Sequence, residues 1–575
     1  MMISLDNSEM PHGGLPQKLR LNTLPLLATA YAFAIYMRTA APTIFWGDGI
    51  ELSAVCATGG IAHPTGYPLF AMLGRLVCLF TRSNPAWGTN MLCAFFGAVS
   101  VGIFFHAIKT ALLFLPERYF LHPLYKDIIA CAFSLALAFS RTFWFHSTTT
   151  EVYSLHVLFV SILLLFFLRY LRKESAGDFV AFFGIWGLSF SNHMLSMTLF
   201  PLCLVMAALF IHRKGSIKIP IGAGLLFLLG LAPYIYLPLR AASRPVLNWG
   251  DPSNLKNFLW VISGGEFKTH KLLMEAPGLP FTPSTFRLHV LSRIIQISRW
   301  TAEEFYRFAP HTNLFKGVIF SCIAFLIIWG TGALIRRKKS AVIGIWGAIF
   351  ISLLMIFLYN IPDIEPYFLS FYPFLLLLLA FGLTGFLHGC ETALLQRKIN
   401  YLPFLFLLLP FIALVSHFQS QDKSKNLDAY EYGLKILRHT PDHAIIITQG
   451  DNDIYTLWYL QKAMGLRQDV TIIGSNFIHN GWYASYFEKD GADKPRFTIQ
   501  QTATPPSHGD FYLDLMLWVI NPNLDRFPIL LTFTDPLLEY MYEVKKVATL
   551  LKEEEITRSQ YEYLPYPCLF RLYKK

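Results

Sequence analysis

Two carboxylates three residues apart, Asp48 and Glu51, stand directly after the first long apolar stretch of the chain. On a helix that spacing puts both on one face near the bilayer boundary, where anions are costly to hold. Two readings fit. One is a helix N-cap, with Asp48 accepting from backbone N–H groups and Glu51 at the third helical position. The other is a general base with its helper, or a cation site. Further on, Ala62-His63-Pro64-Thr65-Gly66-Tyr67-Pro68 combines two prolines with a glycine, which forbids a continuous helix and folds the segment back. Irregular backbone survives at a membrane surface only against protein or water. His63 and Tyr67 are therefore candidates to line a cavity as hydrogen-bond donors, although a satisfied structural role is the commoner fate of a lone histidine.

Other polar groups interrupt apolar runs at corresponding places. Glu151 follows His146-Ser147-Thr148-Thr149-Thr150, and Asn192 with His193 separates two hydrophobic segments. Helix capping accounts for Glu151, and a tight turn for Asn192 and His193, as well as ligand binding does. Arg240 and Arg244 precede Asn248-Trp249-Gly250-Asp251-Pro252. Arginine suits bidentate phosphate recognition, while snorkelling at a helix end is its commoner role. Trp249 and Asp251 join these arginines as substrate-binding candidates. Asp363 and Glu365, between Pro362 and Pro366, make a short acidic turn that solvent alone can satisfy. No GxxxxGK[ST] loop, HExxH pair or cysteine-rich zinc pattern occurs, so no resident cofactor or metal is indicated, and a divalent cation is left open.

These residues must be positioned by membrane helices. The 575 residues are 54% hydrophobic, 16% aromatic and only 15% charged, and the mean hydropathy is +0.43. Such thin charge excludes a disordered, fibrous or purely soluble protein. The net charge of +11 does not point to nucleic acid, because the basic groups fall in short clusters between apolar spans, Arg336 to Lys339 among them. Windows of about 20 apolar residues, matched to a hydrocarbon core of roughly 30 Å, predict eleven spans. They are 22–44, 89–108, 128–146, 152–169, 178–192, 194–211, 219–238, 315–335, 341–359, 367–388 and 401–418. The polar leader with Lys18 and Arg20 is followed by no convincing cleavage site, so no cleavable signal is expected.

Lysines and arginines recur on every second connection: Lys109, Arg118 and Lys126; Arg169, Arg172 and Lys173; Arg213, Lys214 and Lys218; Arg336 to Lys339; Arg397 and Lys398. The positive-inside rule then puts the leader in the cytoplasm, and 45–88, 239–314, 360–366 and the C-terminal segment on the other side. Residues 421–575 alternate apolar and polar groups as a soluble α/β domain does, with strands at Ala444–Thr448, Val470–Gly474 and Pro528–Phe533 and helix near Ile454–Met464 and after Phe533. Gly450, Asp451, Asn452 and Asp453 follow a strand, where either a ligand site or a turn selects such residues. That segment holds only Cys568, so no disulfide framework is expected there. The expected division is 1–420 for the membrane domain and 421–575 for the soluble one.

The segment WGDGIELSAVCATGGIAHPTGYPL, from Trp46 to Leu69, resembles the N-terminal signature of a family long catalogued as a domain of unknown function. Its animal members are transmembrane protein O-mannosyltransferases of the GT-C superfamily. TTTEVYSLH at Thr148 to His156, GLSFSNH at Gly187 to His193 and YLPLRAASRPVLNWGDP at Tyr236 to Pro252 follow in the family's order. TQGDNDIYTLWYLQ, Thr448 to Gln461, with DVTIIGSNF, is similar to bacterial members. The resemblance implies a GT-C-like bundle that takes a sugar from a polyprenyl-phosphate donor on the non-cytoplasmic face. Asp48 matches the acidic residue of the first outer loop, with Glu51 as its neighbour. It further implies a protein or glycan acceptor, membrane lipid as surroundings, and a multi-pass protein of the bacterial inner membrane. Thr65 and Gly49 depart from many relatives without removing a titratable group. A lipid or glycan transporter is the competing expectation, since it too places polar residues near helix breaks.

Overall fold

The structure, a computed structural model, describes residues 17–119, 124–213, 216–268, 283–304, 313–359, 361, 363–390, 402–478, 480, 482–483, 519–520, 522–523, 525–532, 564–566 and 569–572. The first sixteen residues, Lys214, Pro362, Arg397, Lys398, Cys568 and the helix expected after Phe533 lie outside them. In chain order the bundle contains α1 (Gln17–Thr39), α2 (Gly49–Thr58), α3 (Pro68–Cys78), α4 (Pro85–Leu112), α5 (Leu124–Ala138), α6 (Arg141–Ser147), α7 (Tyr153–Lys173) and α8 (Ala176–Phe190). There follow α9 (Phe200–His212), α10 (Lys218–Gly230), α11 (Tyr236–Ala242), α12 (Leu255–Ile262), α13 (Pro283–Glu303), α14 (Asn313–Ile335), α15 (Lys339–Leu358), α16 (Tyr372–Cys390) and α17 (Leu408–Gln421). Every one of the eleven predicted spans falls on helix. Among the described residues seven helical segments are long and apolar enough to cross a membrane, or eight if the bent α5–α6 pair is one span. The protein is a multi-pass membrane protein.

Local chemistry sets the ends. Asn84 accepts from the Trp87 N–H at 3.2 Å with Pro85 at the first position of α4, and Ser175 and Asn254 cap α8 and α12 in the same manner. The expected single span 128–146 is corrected: α5 and α6 meet at 68°. Arg141 gives the reason. A guanidinium inside a span is expensive, and the bend instead lets Arg141 pair with Glu365 while its N–H donates to the Glu304 carbonyl at 2.9 Å. Inside, Phe104 and Phe105 of α4 pack with Phe133 of α5 and with Phe143 and Trp144 of α6, all buried. Outside, Leu225, Leu228 and Leu229 of α10 are exposed, as lipid-facing residues are.

The two ends differ in chemistry. At one end Lys109 pairs with Asp127 at 2.5 Å, Lys126 with Glu117 at 2.7 Å, Arg169 with Asp178 at 3.0 Å, and Arg213 with Glu174. These are the basic residues that alternate along the sequence. At the other end the predicted outward segments meet: Ile61 N–H donates to the Leu247 carbonyl at 2.8 Å, and Leu69 N–H to the Ser191 carbonyl at 3.0 Å.

Beyond α17 come α18 (Asp428–His439), β1 (Ile445–Thr448), α19 (Asp451–Trp458), a π-helical turn at Tyr459–Ala463, β2 (Thr471–Gly474), β3 (Ile529–Leu531), β4 (Leu564–Tyr566) and β5 (Leu569–Leu572). The sheet order is β2-β1-β3-β5-β4. β1 runs parallel to β2 and β3, with Ile446 opposite Ile472 and Leu530. All of β1 is buried, so it reads as a continuous apolar run. β4 and β5 add antiparallel strands that the sequence reading missed. Pro565 lies in β4, the edge strand, which is the position a proline tolerates.

Candidate active site

The segment that follows α1 is built around α2. Asp48 sits at its N-cap position, yet its side chain makes no capping bond, and 43% of that side chain is exposed. The capping alternative is therefore not realised. Gly49 explains how α2 is seated: a Cβ there would lie 2.3 Å from the Thr150 carbonyl oxygen. Around that contact, buried hydroxyls interlock. Thr150 Oγ1 donates to Asn90 Oδ1 at 2.7 Å, Thr89 Oγ1 lies 2.6 Å from Thr150 Oγ1, and Ser53 Oγ donates to the Gly49 carbonyl at 2.7 Å. Asn90 Nδ2 in turn holds the Ala41 carbonyl at 2.8 Å. The threonine run before Glu151 thus clamps the first turn of α2 to α4.

Glu51, one turn on, has its carboxylate fully buried and turned away from solvent. Oε1 accepts from the His63 backbone N–H at 2.9 Å, and Oε2 lies 2.5 Å from His63 Nδ1. This double hold fixes the Pro64–Tyr67 turn against α2. His63 Nε2 then faces the Tyr67 hydroxyl at 3.1 Å and Asp48 Oδ2 at 3.9 Å. Burial pulls the His63 imidazole down, but the Glu51 charge and hydrogen bond, aided by Asp48 and Glu151, push it up to about 9. An imidazolium therefore stands beside Asp48. Asp48 itself is raised above the ordinary carboxyl range by burial, with His63 opposing and Glu51 and Asp363 reinforcing the shift. Glu151 is raised well above its usual value by burial and by Asp48. It also leaves the helix-capping role unfilled, because Val152 occupies the N-cap position of α7.

Aromatic rings wall the space. Tyr67, in left-handed backbone at φ 40, stacks on His193 with centroids 5.6 Å apart. Tyr153 and Tyr367 lie 5.4 and 6.1 Å from the same imidazole. His193 Nδ1 accepts from the Leu195 N–H at 3.0 Å, so the neutral ring carries its proton on Nε2. Burial holds His193 down at about 3, with His156 and His63 adding to the effect. Asn192 Nδ2 donates to the Val152 carbonyl at 3.1 Å, while its Oδ1 is buried without a partner among the described residues. Trp249 lies 6.1 Å from His63, and its indole N–H likewise has no partner among the described residues.

The structure thus gathers Asp48, Glu51, His63, Tyr67, Glu151, Asn192, His193 and Trp249. It does not bring Arg240, Arg244 or Asp251 to them. Arg240 Nε donates to the Gly59 carbonyl at 2.6 Å, at the far end of α2 from Asp48. Arg244 is an exposed residue past the end of α11. Asp251 closes a turn by accepting from Asn248 Nδ2 at 2.9 Å. Sequence reasoning missed Tyr153 and Tyr367, although Tyr153 stands two residues after Glu151 in the same motif. It left Asp363 as a solvated turn residue, whereas its charge acts on Asp48. Among the described residues no three imidazole, thiol or carboxyl groups converge as metal ligands do.

Beside the site an apolar groove of about 920 Å³ runs between α8, α10 and α12, lined by Phe190, Met194, Leu231, Tyr234, Leu259 and Trp260, with Lys256 among its walls. Met194 directly follows His193. α12 also packs on the histidine turn: a Cβ at Gly66 would meet Leu237 and Val261.

The fold is a helical membrane bundle with a polar cluster on the loop after the first helix. The backbone matches that of ArnT from Cupriavidus metallidurans bound to undecaprenyl phosphate with a TM-score of 0.51 at 11% identity, over 95% of this chain and 97% of that one. The family model "Protein O-mannosyl-transferase TMEM260 N-terminal domain" matches residues 48–216, and "TMEM260-associated domain 2" matches 429–562. The protein O-mannosyl-transferase TMEM260 of Mus musculus is 27% identical over 78% of this chain and 62% of its own length. The Dictyostelium discoideum protein of the same name is 24% identical over 78% of this chain and 56% of its own. Two TMEM260 family models thus match separate parts of this chain, which spans about six-tenths of the length of these relatives.

Proposed function

We propose that this protein is a glycosyltransferase that moves a sugar, mannose by its family, from a polyprenyl-phosphate donor to an acceptor hydroxyl, with Asp48 as general base. The observation that carries the reading is an uncapped, accessible Asp48 carboxylate 3.9 Å from a buried imidazole that Glu51 keeps charged. An acceptor hydroxyl is too weakly acidic to attack unaided. Asp48 takes its proton as the oxygen bonds to the anomeric carbon, and the old C–O bond breaks with its electron pair leaving on the polyprenyl phosphate. A raised proton affinity makes Asp48 the stronger base when ionised. His63 is the nearest fixed positive charge for the leaving phosphate. Arg240 is committed to Gly59, and Arg244 is left as a contact for the headgroup at the surface. Glu51 acts through His63.

The donor's chain fits the apolar groove beside α12, where Lys256 offers a cation. The ligand of the ArnT structure, undecaprenyl phosphate, has this chemistry. We place the site and the α/β tail on the non-cytoplasmic face, of a bacterial inner membrane by the tail's resemblance, although the matched relatives are eukaryotic. The division at residue 420 is part of the same reading, as is an acceptor that is a protein or a glycan. Ionisable groups gathered at one end of the bundle favour transfer over transport, which needs them near midplane. The test is sugar transfer by the protein in lipid, from radiolabelled polyprenyl-phosphate mannose, for wild type and Asp48→Asn. Loss of a general base lowers the rate by about 10²–10⁴. Equal incorporation by both proteins removes Asp48 from the mechanism.

A further inference from the structure

The α/β tail touches the catalytic loop through the first turn of α19. Gly450 to Asp453 follow β1 at the carboxyl edge of the parallel strands, the edge where such sheets hold ligands. Asp453 is anchored from within: Tyr432 Oη donates to Oδ1 at 2.8 Å and Thr532 Oγ1 to Oδ2 at 2.6 Å. Its neighbour Asn452 turns to the bundle instead. Asn452 Oδ1 accepts from the Gly47 backbone N–H at 2.9 Å, one residue before Asp48 and 405 residues away in sequence. The Trp46 ring meets Tyr432 edge-on at 5.5 Å. Trp46 and Gly47 are thereby tied to α18 and α19 at two points. Asp451 keeps a solvent-exposed face, and partial desolvation together with the charges of Asp48 and Asp363 raises its carboxyl, with His63 opposing.

We propose that the first turn of α19 is the acceptor-side wall of the site, with Asn452 a positioning residue for the Gly47–Asp48 backbone and Asp451 a hydrogen-bond acceptor for a polar group on the hydroxyl-bearing substrate. This inference rests on the transferase reading. The side of the site follows from charge and polarity. The apolar groove by α12 suits the donor's lipid, and the carboxylate of Asp451 in the first turn of α19 repels an anionic phosphate. A neutral, hydrogen-bonding acceptor is what remains for the α19 face. The tail is then part of the site and not an appendage.

Two measurements on the full chain in lipid test it. The first needs no substrate: hydrogen exchange across residues 45–52 in wild type, Asn452→Ala and Asn452→Asp. Faster exchange at Gly47 in Asn452→Ala, restored in Asn452→Asp, which keeps an oxygen acceptor, is the expected result. Unchanged protection in Asn452→Ala overturns the positioning role. The second is steady-state transfer from polyprenyl-phosphate mannose to a serine/threonine peptide and, in a separate arm, to a methyl mannoside. Asn452→Ala lowers kcat up to about tenfold, the effect of one lost hydrogen bond, with the donor KM unchanged. Asp451→Asn raises the KM of whichever acceptor is used by a similar factor and leaves the donor KM alone. Asn452→Asp sets a new charge beside Asp48, which already faces Glu51, His63, Tyr67, Glu151, Asp363, Tyr367 and Asp451, and so moves the acid limb of the rate profile upward. A rise in donor KM for Asp451→Asn refutes the acceptor assignment. Should Asp48→Asn stay active, the transferase reading fails; should it be inactive while the α19 variants match wild type, only this inference fails.

Discussion

Replacing Glu51 with Gln keeps the shape of a buried side chain and removes its charge. In the native protein that charge decides the state of His63. Burial alone draws the imidazole below its ordinary 6.5, yet Glu51 and Asp48 lift it to about 9. The difference corresponds to about 3 kcal/mol in favour of the imidazolium. Because the folded value lies above the unfolded one, this stabilisation is complete below about pH 6.5 and is lost as pH rises through about 9. In Glu51→Gln burial prevails and the ring is neutral at pH 7. The assay is a titration of the ¹³C-labelled His63 ring, paired with melting temperature against pH in lipid nanodiscs. Wild type should titrate near 9 and lose stability between pH 7 and 9; the variant should titrate below 6.5 and show no such slope. A second consequence falls on Asp48. His63 lowers its proton affinity more than Glu51 raises it, so losing both influences lifts Asp48 and moves the acid limb of activity to higher pH. A wild-type ring that titrates near 6, or a variant with the wild-type slope in melting temperature, refutes this account of the cluster.

Gly49→Ala puts a Cβ 2.3 Å from the Thr150 carbonyl oxygen, and backbone on both sides must shift. We expect a loss of about 1–3 kcal/mol, read as a lower melting temperature, together with a fall in kcat. Leu259→Trp fills the groove beside α12 with a bulky ring on a half-exposed position. The donor KM should rise several-fold with the acceptor KM unchanged; an unchanged donor KM separates the groove from the lipid chain.

Much of the architecture was legible in the chain because hydrophobic length is a one-dimensional property. Each of the eleven apolar windows holds helix, one of them broken, and three tail strands fell where short runs of isoleucine and leucine predicted them. The broken span at 139–140 was harder to see, since apolar neighbours outvote Arg141 in a window average, and its partners Glu304 and Glu365 are distant in sequence. β4 was masked by prolines that only an edge strand accepts. Among the site residues, spacing set Asp48 beside Glu51 but could not tell their surroundings apart: one carboxylate is exposed and uncapped, the other is sealed against His63. Arg240 and Arg244 looked like phosphate ligands by type, and contact with Gly59 claimed the first.

The sequence by itself determined a multi-span membrane bundle, the loop that holds its candidate site residues, and the residue types within that loop, because lipid solubility and backbone restriction are written residue by residue. Only the tertiary structure decided which carboxylate is free, which imidazole is charged, and that Asn452 reaches Gly47. Proton affinities and hydrogen bonds depend on distances of a few ångströms between groups up to 405 residues apart, and no local pattern in the chain encodes such distances.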